Sequence, residues 1–185
     1  MRAYPKERFS SDVALSPASV VEFANAAGDN NPIHHDPEFA ATTRFGRPTA
    51  SGPHTTALLL ALTASHFSKK GAMLGLEFWV RFRRPIYADE TIRLEWMVVK
   101  VTPNQKLRGE IVELRGRIKG QDGKTSLGAK GRVLVTDQLL ESPCPHDAER
   151  LVGPERRKRV SQVVRSSSAV IIAPPGQRDR SMACS

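Results

Sequence analysis

The stretch from Gly28 to Asp36 brings together residue types that can transfer a proton. Within it Asp29 and His34 lie five residues apart, on a backbone bent by Gly28 and Pro32. Histidine is the commonest general acid or base, and carboxylates commonly share this work. On a bent loop the two side chains can converge on one water molecule, whereas on a regular helix they would diverge. As bare spacing, the stretch fits a surface turn equally well, because Gly beside Asp is typical of tight turns.

Two helix signals place Asp29 at a sharp bend. Ser16-Pro17 opens a helix, with Ser as the N-cap and Pro at the first helical position. Apolar residues follow at helical spacing: Val20, Val21, Phe23, Ala24 and Ala27. Gly28 ends this helix as a left-handed cap, so Asp29 comes directly after it. A second start signal, Asp36-Pro37, favours an N-cap role for Asp36 over a catalytic one.

A later helix is apolar nearly all round. Ser51 or Gly52 caps its start, and Pro53 stands near its first position. The residues from Thr55 to Phe67 are mostly Leu and Ala. A helix with this composition is normally buried.

After Gly71 the hydrophobic period changes from helical spacing to two. Apolar and polar residues alternate in two clear runs, with Leu76, Phe78, Val80 and Phe82 in the first and Ile92, Leu94, Trp96 and Val98 in the second. Two further strands are indicated between Leu107 and Thr136, and a short one from Arg8 to Leu15. Alternation of this kind predicts half-buried antiparallel strands. The whole pattern predicts an α+β domain over residues 1–139.

From about Leu140 the character of the chain changes. Residues 140–185 carry no sustained hydrophobic period and include Pro-, Ser- and Arg-rich segments. We expect a mostly disordered basic tail. The cluster from Arg156 to Arg159 fits either a nucleic-acid contact or a solvated charge run. We favour the solvated run, and nucleic acid is not expected as a partner.

Composition limits the classes of partner and compartment. The 185 residues carry a formal net charge of +9, which favours anionic partners such as nucleotide phosphates, nucleic acid or a membrane surface. Only two cysteines are present, so no disulfide framework is expected. The N-terminus lacks the apolar core of a signal peptide, and the longest apolar run is too short for a bilayer span. We therefore expect a soluble cytoplasmic protein without a membrane partner.

Two blocks of the sequence resemble a known family. The run from Phe23 to His34 contains Gly-Asp-Asn-Asn-Pro-Ile-His and looks like the signature of the MaoC-like, or R-specific enoyl-CoA hydratase, family. The run from Phe45 to Gly52 resembles the second block of that family. The likeness extends from about Phe9 to about Asp137. It implies a hot-dog fold, in which a long central helix is wrapped by an antiparallel β-sheet.

The resemblance also implies a reaction. Family members add water to a trans-2-enoyl-CoA to give the (R)-3-hydroxyacyl-CoA, or reverse that step. On this pattern Asp29 and His34 hold the water, with Asp29 as the base. The backbone N–H of Gly52, at the start of the central helix, stabilises the thioester oxyanion. No separate cofactor and no metal are expected, because coenzyme A is part of the substrate.

Five further residues are candidates for substrate binding: Asn31, Ser51, His54, Arg81 and Arg83. Asn31 is assigned mainly to holding the loop by side-chain hydrogen bonds. Ser51 stands where many family members have a histidine, and Ala57 replaces a serine found in some members, which leaves substrate preference open. His54 either faces the pocket or is a partly buried histidine at the helix start. The two arginines either meet CoA phosphates or solvate the sheet.

Other interpretations of the same residues remain open. His35 is expected to be exposed and incidental, and His66 to be an ordinary surface residue. The chain could instead be a non-catalytic hot-dog subunit that binds acyl-CoA, or a thioesterase on the same fold. The presence of both Asp29 and His34 argues against a non-catalytic subunit. The resemblance further predicts a homodimer, since hot-dog sheets usually pair edge to edge.

Overall fold

The structure, a computed structural model, describes residues 3–136. These residues form β1 (Arg8–Ala14), α1 (Pro17–Ala26), a 3-10 turn (Pro32–His34), α2 (Pro37–Thr42), α3 (Gly52–Phe67), β2 (Ala72–Phe82), β3 (Thr91–Asn104), β4 (Gly109–Lys119) and β5 (Thr125–Thr136). All strand pairs are antiparallel, in the order β1-β3-β4-β5-β2. The strands and helices lie where the sequence predicts them.

Helix α3 lies against one face of the sheet. Its residues Leu59, Thr63 and Phe67 are buried there. The other side of the helix is exposed at Ala57, Ala61 and Ala64, so the burial expected of a helix apolar nearly all round is found on one face only. Trp96 of β3 attaches the sheet to the helix, because its indole Nε1–H donates a hydrogen bond of 2.8 Å to the Leu59 carbonyl. A long helix wrapped by an antiparallel sheet is the arrangement that the resemblance implied.

The inner face of the sheet follows the predicted alternation. Its buried side chains include Ile92, Leu94, Trp96, Val98, Val112, Leu114, Ile118, Val133 and Val135. Two glycines make room for the large rings among them. A Cβ on Gly116 would lie 2.5 Å from the Trp96 ring, and one on Gly131 would lie 2.7 Å from the Phe78 ring. The core therefore needs glycine at both positions for close packing.

Strand β2 departs from the predicted alternation at one point. The register with β5 shifts between Gly75 and Glu77, so Leu76 is exposed instead of facing the core with Phe78. A bulge of this kind inserts one extra residue and turns its side chain out of the pattern. Phe82, at the end of the strand, is also exposed. Because β2 is an edge strand, these apolar side chains lie along the border of the sheet.

A charged cluster ties β1 to the far end of α3. Glu7 is buried and accepts a hydrogen bond of 2.8 Å from His66 Nε2 and another from Lys70 Nζ. Burial alone raises the pKa of Glu7, but the bonds from Lys70 and His66 outweigh it and hold the pKa below 4.5. The His66 ring also stacks on Phe9 at 3.8 Å. The prediction that His66 is an ordinary surface residue was therefore wrong.

Within residues 3–136 no helix is long and apolar enough to cross a membrane. The predicted domain boundary near residue 139 and the predicted disordered tail over 140–185 lie outside the described residues.

Candidate active site

The end of α1 fixes the position of Asp29. The chain leaves the helix through Gly28, whose φ of +69° lies in the left-handed region that favours glycine. The Asp29 N–H then donates to the Ala24 carbonyl at 2.8 Å, and Asp29 Oδ1 accepts from the Asn31 N–H at 3.1 Å. One carboxylate oxygen thus holds the turn, while Oδ2 is left to face His34.

His34 lies on the 3-10 turn that follows. Its Nδ1 is 2.7 Å from the Thr49 carbonyl oxygen. A carbonyl can only accept, so Nδ1 carries the hydrogen and, in the neutral ring, Nε2 has the free lone pair. Nε2 lies 3.6 Å from Asp29 Oδ2, and the two side chains are 10% and 28% exposed, His34 first. Asp29 Oδ2 and His34 Nε2 thus form a half-buried pair of hydrogen-bond acceptors.

This pair can orient one water molecule. With His34 neutral, both facing atoms are hydrogen-bond acceptors, and a water molecule has two hydrogens to donate to them. A water held in this way directs an oxygen lone pair away from the protein. The carboxylate can then take the proton that the water loses when its oxygen attacks.

Two neighbouring residues support the loop. Asn31 Oδ1 accepts from the Ile33 N–H at 3.3 Å and caps the 3-10 turn, so the predicted loop-holding hydrogen bond of Asn31 is present. His35 Nε2 donates to the Asp29 carbonyl at 2.6 Å and is half-buried. The prediction that His35 is exposed and incidental was wrong, because its ring braces the residue that carries the carboxylate.

Gly52 is the first residue of α3. The N–H groups of a first helical turn have no partner within the helix and carry the positive end of its dipole. Pro53 has no N–H, and the His54 N–H donates to Ser51 Oγ, so Gly52 is the candidate donor at this end. The Phe82 ring lies directly against Gly52, since a Cβ there would be 2.9 Å from the ring. An oxyanion bound at this amide would lie beside an aromatic wall.

A groove of about 440 Å³ opens beside Gly52. Its lining includes Thr49, Phe45, Phe82 and three arginines, Arg44, Arg83 and Arg84. Asp29 and His34 are not on this lining. Thr49 connects the groove to the Asp29–His34 pair. It lines the groove, its carbonyl accepts from His34, and its N–H donates to the Ile33 carbonyl at 3.3 Å. A larger depression of about 690 Å³ on the sheet contains none of Asp29, His34 or Gly52.

Only one of the remaining candidates lines the groove. Arg83 lies on the groove, whereas Arg81 is exposed on β2 and does not line the groove. Ser51 is 1% exposed, and its Oγ accepts from the His54 N–H as the N-cap of α3. Ser51 therefore caps the helix instead of lining the groove. Sequence reasoning missed Thr49, because it acts through a backbone carbonyl that leaves no signal in residue type.

His54 is buried at the start of α3, as in the second of the two predicted positions, and does not face the groove. It is 7% exposed, and its ring stacks on Phe23 of α1 at 4.4 Å with 5° between the planes. Burial lowers the pKa of His54 from its usual range, which favours the neutral ring. Across the described residues, its buried Nδ1 has no hydrogen-bond partner. In residues 3–136 no group of three or more His, Cys, Asp or Glu is placed to hold a metal ion.

The sequence profile described as "MaoC like domain" matches residues 4–117, more than half of the chain. The chain belongs to the MaoC-like domain family. This MaoC-like domain is 32% identical over 119 residues to the (R)-specific enoyl-CoA hydratase of Aeromonas caviae, an alignment that covers 64% of this chain and 83% of the relative. It is also 32% identical over 92 residues to the 3-hydroxybutyryl-CoA dehydratase of Methylorubrum extorquens. That second alignment covers 50% of this chain and only 58% of the dehydratase.

The solved structures agree with the family assignment. The (R)-hydratase of A. caviae involved in PHA biosynthesis superposes with a TM-score of 0.66 at 26% identity. The superposition covers 72% of this MaoC-like domain chain and 97% of the hydratase. The predicted hot-dog fold is thereby confirmed.

Proposed function

We propose that this chain adds water to the double bond of a trans-2-enoyl thioester of coenzyme A, giving the (R)-3-hydroxyacyl thioester, and catalyses the reverse dehydration. The observation that carries the proposal is the pair of acceptors, Asp29 Oδ2 and His34 Nε2, 3.6 Å apart on a braced loop. The names of the two relatives, a hydratase and a dehydratase of CoA esters, support the same chemistry.

The proposed step starts from the water held by Asp29 and His34. Asp29 takes one proton as the water oxygen forms a bond to C3 of the substrate. The electron pair of the double bond moves towards C2 and the thioester oxygen, which becomes an enolate-like oxyanion. The Gly52 N–H donates a hydrogen bond to that oxygen. The proton then passes from the Asp29–His34 pair to C2 on the same face, and the thioester carbonyl re-forms.

The groove beside Gly52 is proposed to hold the coenzyme A end of the substrate. Arg44, Arg83 and Arg84 lie on its lining, and guanidinium groups bind phosphate oxygens in bidentate pairs. Arg84 is partly engaged by Asp122 at 3.0 Å, whereas neither Arg44 nor Arg83 has an ion pair within the described part of the chain. Arg44 and Arg83 are therefore the first candidates for a phosphate contact.

The decisive experiment follows the loss of enoyl-thioester absorbance with crotonyl-CoA and with a longer enoyl-CoA. We expect the wild type to react and Asp29→Asn to lose about 100- to 10,000-fold in kcat, because the amide cannot accept the proton. Asp12→Asn is the matched control, since it makes the same change at an exposed carboxylate paired with Arg93. Equal rates in Asp29→Asn and wild type would remove the base from the proposal. Binding of CoA esters without turnover would favour the non-catalytic subunit instead.

The configuration of the product is a separate test. The reaction should yield the (R)-3-hydroxyacyl thioester, which a dehydrogenase specific for the (S) form leaves untouched. Oxidation of the product by that dehydrogenase would contradict the proposed geometry.

We also propose that the working form is a homodimer paired through β2. This strand is at the edge of the sheet and has the exposed apolar residues Leu74, Leu76 and Phe82. An unpaired edge with apolar side chains is covered in most proteins, and a second copy can cover it symmetrically. Light scattering should give twice the chain mass for the wild type. A monomer at micromolar concentration would refute this arrangement.

A further inference from the structure

His54 and Gly52 face different parts of the molecule. They are two residues apart on α3, and two residues turn about 200° around a helix. Gly52 faces the Phe82 ring and the groove, whereas His54 faces Phe23 of α1. The start of α3 thus presents the amide on one side and an imidazole on the other.

The contact between His54 and Phe23 is a stacked pair of rings. The ring centroids are 4.4 Å apart and the planes differ by 5°. The Nδ1 atom of His54 is shielded from solvent and has no hydrogen-bond partner in the described residues. A buried polar atom without a partner is unfavourable, so hydrogen bonding does not explain this ring. The His54 ring contributes its flat surface to the contact with Phe23.

Phe23 stands at the end of α1 that leads to Asp29. Its neighbour Ala24 accepts the Asp29 N–H at 2.8 Å, and its own carbonyl accepts the Ala27 N–H at 2.9 Å. Helix α1 packs on α3 and on the 3-10 turn that carries His34. A shift of Phe23 along α3 would therefore move Asp29 relative to Gly52.

We propose that His54 is a positioning residue, whose ring clamps α1 onto α3 and so holds the Asp29 carboxylate at its working distance from the Gly52 N–H. The proposal rests on the proposed hydratase function. His54 touches no reacting atom and carries no proton in the reaction. Its contribution is the planar contact alone, which a phenyl ring can replace.

The test compares variants of the full-length protein that keep or remove the flat ring. We expect His54→Phe to keep kcat near the wild-type value. His54→Ala should lower kcat by about 10- to 100-fold, because small displacements of a catalytic group have effects of this size. KM should change by less than about threefold, since substrate binding in the groove is untouched. Phe23→Ala should reproduce the loss, and the double variant should lose no more than either single variant.

Further measurements separate positioning from chemistry and from folding. Circular dichroism and rates well below the melting temperature separate lost folding from lost turnover. The pH profile of His54→Phe should match that of the wild type. A loss of kcat in His54→Phe as large as in His54→Ala would overturn the proposal, as would an unchanged kcat in folded His54→Ala. If His54→Ala does not fold, His54→Leu takes its place, with the same expectations.

A measurement that does not depend on turnover separates failure of this proposal from failure of the proposed hydratase function. If the wild type fails to hydrate any enoyl-CoA, the hydratase function fails. The NMR resonances of the His34 ring then report the Asp29–His34 geometry directly, and with five histidines in the chain they can be assigned. They should shift in His54→Ala and stay in place in His54→Phe. Unchanged resonances in both variants would overturn the clamp.

Discussion

Replacing Trp96 by Phe tests how the sheet is attached to the helix that carries Gly52. The Trp96 indole is 2% exposed and donates its only N–H to the Leu59 carbonyl at 2.8 Å. Losing that hydrogen bond costs about 1 kcal/mol. The smaller ring also leaves space above Gly116 and buries less apolar surface, which adds about 1 to 2 kcal/mol. We expect a total loss of about 2 to 3 kcal/mol in the free energy of unfolding.

The two tryptophans of the chain provide a matched control. Trp79 is 53% exposed, so Trp79→Phe should change the free energy of unfolding by less than about 0.5 kcal/mol. Urea titrations followed by circular dichroism measure both variants. For a domain of this size, Trp96→Phe should lower the melting temperature by roughly 6 to 12 °C. Equal effects of the two substitutions would refute the attachment of sheet to helix through Trp96.

Three other predictions concern the cap, the charged cluster and the oxyanion amide. Ser51→Ala should cost about 1 kcal/mol of stability in urea titration, through the lost cap of α3, and leave KM unchanged. Glu7→Gln should cost about 1 to 3 kcal/mol at neutral pH. Because the pKa of Glu7 is lowered, its contribution to the free energy of unfolding is present above pH 4.5 and is lost as pH falls through the folded-state pKa. The stability of the wild type and of Glu7→Gln, measured against pH, should therefore converge in acid. Gly52→Ala would place a Cβ 2.9 Å from the Phe82 ring and should lower kcat/KM about tenfold or more. Adding Phe82→Ala removes that clash and should recover part of the loss.

Local signals allowed much of the site to be predicted. The caps Ser16, Asp36 and Ser51 each accept backbone N–H groups at the predicted helix starts. Gly28 has the positive φ expected of a left-handed cap, which places Asp29 at the bend. These features depend on residues within four positions of each other, so residue type and spacing are enough to specify them.

Most of the features that sequence reasoning missed are long-range. The bond from His34 to the Thr49 carbonyl spans 15 residues, and the pair of His66 with Glu7 spans 59. The outward turn of Leu76 depends on a register shift against β5. Such contacts are decided by how the elements pack, and neither hydrophobic period nor residue type records them.

The hydrogen bond that fixes the His34 tautomer has a consequence for how this protein can evolve. Its acceptor is the main-chain oxygen of Thr49, an atom that every amino acid supplies. A point mutation at position 49 changes the side chain but cannot delete the acceptor. The tautomer of His34 is therefore insensitive to substitution at position 49. Random mutagenesis can vary the groove wall there while Nδ1 of the imidazole keeps its hydrogen.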